Sequence, residues 1–441
     1  MCKNFFVTPL KFLLNTFGSL GDLHPYIAVG QGLRDRGHLV TLATSEAYRA
    51  RVEGAGLNFQ AIRPDIQGLA GSPGAMECAY HPRTGSEYIM RRVFLPYLTS
   101  TYSDLVEPAR QADLLVGHPL AFAIPTLAEV LGKPWVSVIL QPVVILSAWD
   151  PPSVSGAPFL EVFRKCGPGF WRVWGRMARA IVRKWGAPVN ALRVGLGLKD
   201  LRNPVLDDMF SPFGNQGWFS PVMASPQPDW PVGLSATGFP FYDKPESGEG
   251  LSQDLERFLA EGEPPVVFTL GSSAVLAAGT FFHESVLAVQ KFGLRAVLLV
   301  GSDPRNQPLH PDARIFVADY APFSELFGRA AAVVHQGGSG TTAQALRAGV
   351  PSVFVPYSHD QPDNARRVAS LGAARIIPRS KYRAARIVSE LRSLLSDISV
   401  KENCRRIAQQ LAGEDGVRTA CEGLEKVAMQ FRDGANRSPE K

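Results

Sequence analysis

A chain of 441 residues, 45% hydrophobic and 20% charged, is too long for one ordinary core and has the composition of two soluble, globular domains. Its formal net charge of +6 suits anionic small molecules or an anionic membrane face, and is too diffuse to argue for a nucleic-acid surface. The five cysteines, Cys2, Cys78, Cys166, Cys404 and Cys421, are scattered and lack CxxC spacing, which argues against a disulfide scaffold or a zinc site and fits a reducing cytosol.

The N-terminal stretch MCKNFFVTPLKFLLNTFGS is apolar but interrupted by Pro9, Lys11 and Asn15, with no small-residue cleavage site. It reads as an extension leading into a first core strand and not as a secretory signal. No apolar run reaches the roughly 18 residues that span a bilayer. Residues 11–18 read as a strand, 25–38 as a helix that turns Ile27, Val29 and Leu33 inward and stops at Gly37, and 39–44 as a second strand. Strand 112–117, helix 121–132 and strand 134–140 repeat the unit. Such a succession implies a parallel sheet covered on both faces.

The segment FWRVWGRMARAIVRKWG, residues 170–186, reads as a helix. Trp171, Trp174, Met177 or Ala178, Ile181 and Trp185 fall along one face, and Arg172, Arg176, Arg179 and Arg183 largely along another. A basic helix with aromatic residues on its apolar side lies in a membrane interface, covers a greasy substrate, or packs as an ordinary surface helix. Residues 225–250, rich in proline, glycine and serine, mark a boundary. The expected division is an N-terminal domain, 1–240, a C-terminal domain, 241–431, and a disordered tail, 432–441. The second domain repeats the alternation, with strands at 264–272, 294–302 and 313–320 and a helix at 281–293. The fold class is therefore α/β: two Rossmann-like, doubly wound parallel-sheet domains facing across a ligand-binding cleft.

Residues 333–364, VVHQGGSGTTAQALRAGVPSVFVPYSHDQPDN, place Gly337, Gly338, Ser339 and Gly340 between a strand and a helix start. Glycines let the backbone approach an anion, and the first N–H groups of a helix have no internal partners, so the loop reads as a phosphate site. Gly338 to Ala343 also satisfies GxGxxA, the dinucleotide fingerprint, with Asp360 downstream. That fingerprint normally opens a domain, whereas this loop comes late in one and leads into a short helix.

The wider pattern is more specific. His335-x-Gly337-Gly338-x-Gly340-Thr341, then Gly349-Val350-Pro351, Pro356 and Asp360-Gln361-x-x-Asn364, closely resembles the donor-nucleotide signature of family 1 glycosyltransferases, the GT-B enzymes that move a sugar from a nucleotide diphosphate. Gly18-Ser19-x-Gly21-Asp22-x-x-Pro25, followed by Leu33-x-x-x-Gly37-His38, is similar to the first loop and helix of their bacterial, sterol- and antibiotic-glycosylating members. Asp229-Trp230-Pro231 and Thr237-Gly238-Phe239-Pro240 resemble the subgroup that contains the rhamnosyltransferase of rhamnolipid synthesis.

The resemblance implies roles. His335 and the amides of Gly338, Ser339, Gly340 and Thr341 would hold the diphosphate, assisted by Gly21 and by Gly271-Ser272-Ser273 after the strand PPVVFTL. Tyr320, followed by Ala321, would stack on the nucleobase, and Asp360, Gln361 and Asn364 would bind sugar hydroxyls. Asp22 would be the base that deprotonates an acceptor hydroxyl, with His24 in the same loop as a substitute and His118 as its orienting partner. Each has a plainer reading: a helix N-cap for Asp22 and Asp360, a satisfied core residue for His335 and Tyr320, a turn for residues 271–273, a polar loop lining for His118. No metal or other cofactor is implied, and the chain has no Asp-x-Asp pair. Where uridine-binding members often carry a glutamate, this chain has Ala343, with Gln344 next to it, and Phe323 replaces a common glutamine. The implied function is inverting transfer of a hexose from a UDP- or dTDP-sugar to a lipophilic hydroxyl of a lipid, sterol or polyketide-like acceptor. The expected location is the cytoplasm, with peripheral contact to the inner membrane face, and nucleic acid is not an expected partner. A sugar-nucleotide epimerase, a non-catalytic nucleotide-sugar-binding protein and an oxidoreductase built on GSGTTA are the alternatives.

Overall fold

The computed structural model describes residues 9–65, 74–243, 250–308 and 312–435. The expected N-terminal extension up to Thr8 and the last six residues of the expected tail lie outside them.

Seven strands form the first sheet: β1 (Lys11–Asn15), β2 (Leu39–Thr44), β3 (Asn58–Ala61), β4 (Leu114–Gly117), β5 (Trp135–Ile139), β6 (Asn215–Gly217) and β7 (Leu234–Ala236). Their spatial order is β3-β2-β1-β4-β5-β6-β7, parallel throughout. Six more, β8 (Val266–Thr269), β9 (Ala296–Leu299), β10 (Ile315–Ala318), β11 (Ala332–His335), β12 (Ser352–Phe354) and β13 (Ala374–Ile376), form a second parallel sheet in the order β10-β9-β8-β11-β12-β13. Their central strands are continuous apolar runs because helices bury both faces: β4, β8 and β11 are buried at every position. In each sheet the winding reverses beside the first strand, between β1 and β4 and between β8 and β11. Open parallel sheets leave a crevice at such a point, beyond the carboxyl ends of the strands.

The helices that matter here are α1 (Leu20–Asp35), α2 (Leu98–Gln111), α3 (Ile124–Leu131), α4 (Gly167–Arg183), α5 (Phe281–Phe292), α6 (Ser339–Arg347), α7 (Gln361–Ser370) and α8 (Gly416–Ala435). The first starts five residues earlier than the position of Pro25 suggests. Ser19 is its N-cap and Asp22 its N3 residue, and the reciprocal capping box between them fixes the start upstream of the proline. In α4 the expected division of faces also changes. Trp171 and Gly175 are buried, while Val173, Met177 and Ile181 point outward among the arginines.

The last helix runs through Ala435, so the first residues of the expected disordered tail are helical. It also leaves the C-terminal unit: Ala420, Cys421, Leu424 and Ala428 share a core with Leu10, Leu14, Tyr26 and Val29. By packing, therefore, residues 416–435 belong with the first sheet, whereas sequence order places them with the second. The chain thus crosses between the units twice, and the crossings touch. A Cβ on Gly416 would lie 2.6 Å from the carbonyl of Phe239, and Ser220 Oγ donates to Glu414 Oε1 at 2.6 Å. Nearby, Arg367 of α7 donates to Met223 O at 3.0 Å, bonds Asp363 Oδ2 through Nε at 2.7 Å and pairs with Asp150 of the first unit, while Ser153 N donates to Asp363 Oδ1 at 2.9 Å.

Candidate active site

The loop after β1 is built around a glycine. Gly18 has φ +118°, and a Cβ there would lie 2.2 Å from Asp22 Oδ2, so the carboxylate occupies the space a side chain would need. That Oδ2 accepts hydrogen bonds from Ser19 N at 2.9 Å and Ser19 Oγ at 3.4 Å. Asp22 is therefore part of the helix cap, but as the N3 partner and not as the N-cap itself. The other oxygen, Oδ1, faces His118 Nε2 at 3.6 Å, and the side chain is 22% exposed.

His118 follows β4, on the far side of the same switch point. Its backbone N–H donates to Asn15 O at 3.0 Å, which ties the two strand ends together. Its Nδ1 accepts from Leu120 N at 3.1 Å, so the proton of the neutral ring resides on Nε2, the nitrogen that faces Asp22. That Nε2 is buried without a hydrogen-bond partner. Behind the pair, Tyr26 is fully buried against Trp218, and burial together with the charge of Asp22 raises its pKa well above that of a free phenol.

His24 does not join them. Its ring lies 5.2 Å from that of Tyr242, Arg51 Nη1 approaches its Nε2 at 3.4 Å, and burial with the Arg51 charge lowers its pKa to about 4. Two positions further along α1 than Asp22, it projects from a different side of the helix.

The loop after β11 is its counterpart in the second sheet. His335 is fully buried against Phe354, with ring centroids 4.3 Å apart, and its Nδ1 accepts from Gly337 N at 3.2 Å. Burial lowers its pKa to about 3, so the ring is neutral and its proton lies on Nε2, a buried donor with no partner. A fully satisfied core histidine would leave no such group. Gly337 adopts φ +96°, and a Cβ there would lie 2.9 Å from the Phe354 ring. Gly338 is the N-cap of α6 and no side chain caps that helix, which leaves its first-turn amides for a ligand. Ser339, Gly340 and Thr341 form this turn, and Gln141 of the first unit donates to Ser339 Oγ at 3.3 Å.

After β8, Gly271 has φ +65° and opens a single helical turn, Gly271–Ala274; a Cβ there would collide with Gln336 Nε2 at 2.5 Å. Ser272 is exposed, while Ser273 Oγ is engaged by Tyr80 Oη of the first unit at 2.5 Å. Tyr320 is 44% exposed at the end of β10, which excludes the reading of a buried core tyrosine; Ala321 beside it is buried in the core and presents only backbone.

Asp360 precedes α7 but makes no side-chain cap; it accepts from Asn364 Nδ2 at 2.7 Å, and the same Nδ2 reaches Gly337 O at 2.9 Å. Burial, and after it the charge of Asp22, pushes the Asp360 pKa up to about 7. Gln361 Oε1 accepts from Tyr357 N at 2.7 Å and Ser358 N at 3.2 Å, which fixes the amide against its own loop.

His359 is a residue that sequence reasoning missed. It holds φ +58°, a left-handed conformation uncommon for histidine, and its Nδ1 lies 3.0 Å from Ser86 Oγ of the first unit. Its ring packs edge-on to Tyr80 at 5.5 Å, and burial lowers its pKa to about 4. Only its place next to Asp360 hinted at a role, because the contacts are made by residues 273 positions away.

The two loops converge. A Cβ on Gly340 would lie 3.4 Å from Gly21 Cα, so the N-termini of α1 and α6 meet with only glycine backbone between them. This region thus holds a carboxylate with a histidine 3.6 Å away, the N-termini of two helices, and a buried imidazole donor.

The chain is similar to known proteins over nearly its whole length. Residues 12–100 match the glycosyltransferase family 28 N-terminal domain, and residues 297–421 match the erythromycin biosynthesis protein CIII-like C-terminal domain. The chain is 36% identical over 435 residues to the O-mycaminosyltylonolide 6-deoxyallosyltransferase of Streptomyces fradiae, covering 95% of this chain and 98% of that protein. It is 28% identical to a sterol 3-beta-glucosyltransferase of Debaryomyces hansenii, covering 95% of this chain but 27% of that longer protein. The calicheamicin glycosyltransferase CalG4 superposes with a TM-score of 0.69 at 18% identity, over 96% of this chain and 100% of that structure.

Proposed function

We propose, on the premise that the chain belongs to the family 1 glycosyltransferases of GT-B fold and transfers sugar from a nucleotide sugar, that it is an inverting enzyme in which Asp22 is the base. The observation that carries this reading is the geometry of Asp22: Oδ2 is committed to the helix cap while Oδ1 lies beside His118 on a side chain that is 22% exposed, in the helix turn whose Gly21 meets Gly340 of α6. An acceptor hydroxyl held by the first unit gives its proton to Asp22 as its oxygen forms a bond to the anomeric carbon. The bond from that carbon to the diphosphate breaks in the same displacement, and the configuration inverts. The Nε2–H of His118 faces Oδ1 from 3.6 Å, too long for a hydrogen bond in this conformation, and its dipole favours a carboxylate turned to the acceptor, so it acts as a positioning residue.

The leaving diphosphate gains charge as the bond breaks. The His335 Nε2–H, the amides of Gly338 to Thr341 and the positive end of α6 answer that charge directly, without a metal ion. Tyr320 offers an exposed ring to the base, and Asp360 and Gln361 border the sugar. For the acceptor, the similarity to an O-mycaminosyltylonolide 6-deoxyallosyltransferase and to sterol 3-beta-glucosyltransferases favours a hydroxyl on a lipophilic, sterol- or polyketide-like skeleton.

The test is release of nucleoside diphosphate from UDP- and dTDP-sugars, each with a sterol, a macrolide aglycone or a hydroxy-fatty acyl acceptor. Acceptor-dependent release that Asp22→Asn abolishes, with an inverted anomer in the product, supports the assignment. Full activity of Asp22→Asn returns that residue to its capping role alone.

A further inference from the structure

Eighteen large apolar side chains are exposed among the described residues, and six of them lie between positions 159 and 181: Phe159, Val162, Phe163, Val173, Met177 and Ile181. They belong to two adjoining elements, the helical turns Pro158–Cys166 and α4. Both are fastened from below by buried Leu160 and Trp171, so the exposed groups stand on an anchored surface and not on a fraying end. Along α4, Val173, Met177 and Ile181 recur every four residues and form one outward stripe.

The polar residues around that stripe are of one sign. From Val162 through Lys184 the sequence holds no acidic residue. Arg164 and Arg179 pair with Glu161 and Asp207. Lys165, Arg172, Arg176, Arg183 and Lys184 are exposed and enter no ion pair among the described residues. Beside them Trp149 is 46% exposed, with the guanidinium of Arg172 over its ring at 5.7 Å.

A symmetric contact with a second copy of this chain would set these cations against themselves. An anionic bilayer answers both features at once. Its headgroups neutralise long, mobile lysine and arginine side chains, and its acyl boundary takes up apolar side chains that protrude singly. We propose that this face, α4 with the turns before it, docks the enzyme on anionic lipid membrane. The patch is close to the contact between the two units: Trp149 precedes Asp150, which pairs with Arg367 on α7. Docking is independent of the reaction proposed above, because none of these side chains takes part in it.

The full chain is sedimented with vesicles of phosphatidylcholine alone and with vesicles in which roughly one-third of the lipid is phosphatidylglycerol. Binding is expected only with the anionic vesicles and is expected to weaken as salt shortens the screening length. The double substitution Met177→Asp and Ile181→Asp, and separately Arg172→Glu with Arg176→Glu, should each reduce it by about tenfold or more. All four positions are exposed, so thermal unfolding should be unchanged. Absence of binding, equal binding to both vesicle types, or binding that survives both double substitutions overturns the proposal. So does a concentration-dependent dimer that these substitutions abolish, which would assign the face to a second copy.

Discussion

Gly21 and Gly340 bring two helix N-termini from different domains into backbone contact, with a Cβ on Gly340 placed 3.4 Å from Gly21 Cα. Each helix end carries a partial positive charge, at α1 met in part by the Ser19–Asp22 capping box and at α6 capped by no side chain, and adjacent like poles are stabilised by an anion between or beside them. The closed arrangement is thus the one a diphosphate would favour.

Gly340→Val should block that approach. The expected result is a rise in donor KM and a loss of roughly tenfold or more in kcat/KM, equivalent to about 1.4 kcal/mol, with little change in thermal stability, since the residue borders open space apart from Gly21. Donor titration and initial rates check it; unaltered donor KM would mean that the helix ends do not close on the ligand.

Asp22 has two jobs that substitutions can separate. Asp22→Asn keeps a cap acceptor but cannot take a proton, so kcat should fall roughly 10²–10⁴-fold while stability changes little. Ser19→Ala should do the reverse, costing about 1 kcal/mol of stability through the lost cap and leaving most of kcat. Chemical denaturation and rate measurements on both variants give the comparison.

Three histidines make the fold sensitive to acid. The pKa of His335 is lowered to about 3, and those of His24 and His359 to about 4, against 6.5 in the unfolded chain. The unfolded state therefore binds protons that the folded state refuses. The stability this represents is present above pH 6.5 and is lost as pH falls toward 4 and then 3. Asp360, raised to about 7 from 3.8, works the other way and loses stability as pH rises from 3.8 through 7. Melting temperature followed between pH 7 and 4 should decline, and His335→Gln should flatten the decline.

His359 is held at φ +58°, where a side chain with a Cβ is disfavoured by about 1–2 kcal/mol relative to glycine. His359→Gly should therefore be more stable than His359→Ala, by about 1 kcal/mol, although both lose the bond to Ser86. Urea unfolding decides; equal stabilities would show that the conformation relaxes once the ring is gone.

Arg367 lies between Asp150 and the fully buried Asp363. Arg367→Met should destabilise the protein by about 3 kcal/mol, because it takes the closest cation from a buried carboxylate and leaves it only Ser153 N and Arg366. A smaller loss in the double substitution Arg367→Met with Asp363→Leu would confirm that the stranded charge is the cause.

Much of this was legible in the sequence because it is local. The apolar runs of β1, β4, β8 and β11 and the glycines after them follow from backbone geometry, and the loop from His335 to Thr341 carries its own chemistry. What escaped was decided by distant contacts. The start of α1 was set by the Ser19–Asp22 capping box and not by Pro25. The tautomer of His118 depends on the backbone of Leu120, and the conformation of His359 on Ser86. In α4 the period of the apolar residues was visible, but two apolar stripes share that helix, and only the neighbours Ala148 and Leu160, which pack on Trp171, determine which one faces in. The packing of α8 on the first sheet is of the same kind: an amphipathic helix announces that it will be buried, not against which core.

That return of α8 has a mechanical meaning. Two covalent crossings that touch, at Phe239 and Gly416, form a pivot with little freedom to shear or swivel. The units can separate only by turning about that edge, as two covers turn about a spine. The contacts farthest from it travel most, so the ends of α1 and α6 are where opening must first be felt, while Arg367, bonded to Met223 O beside the Ser220–Glu414 contact, moves least.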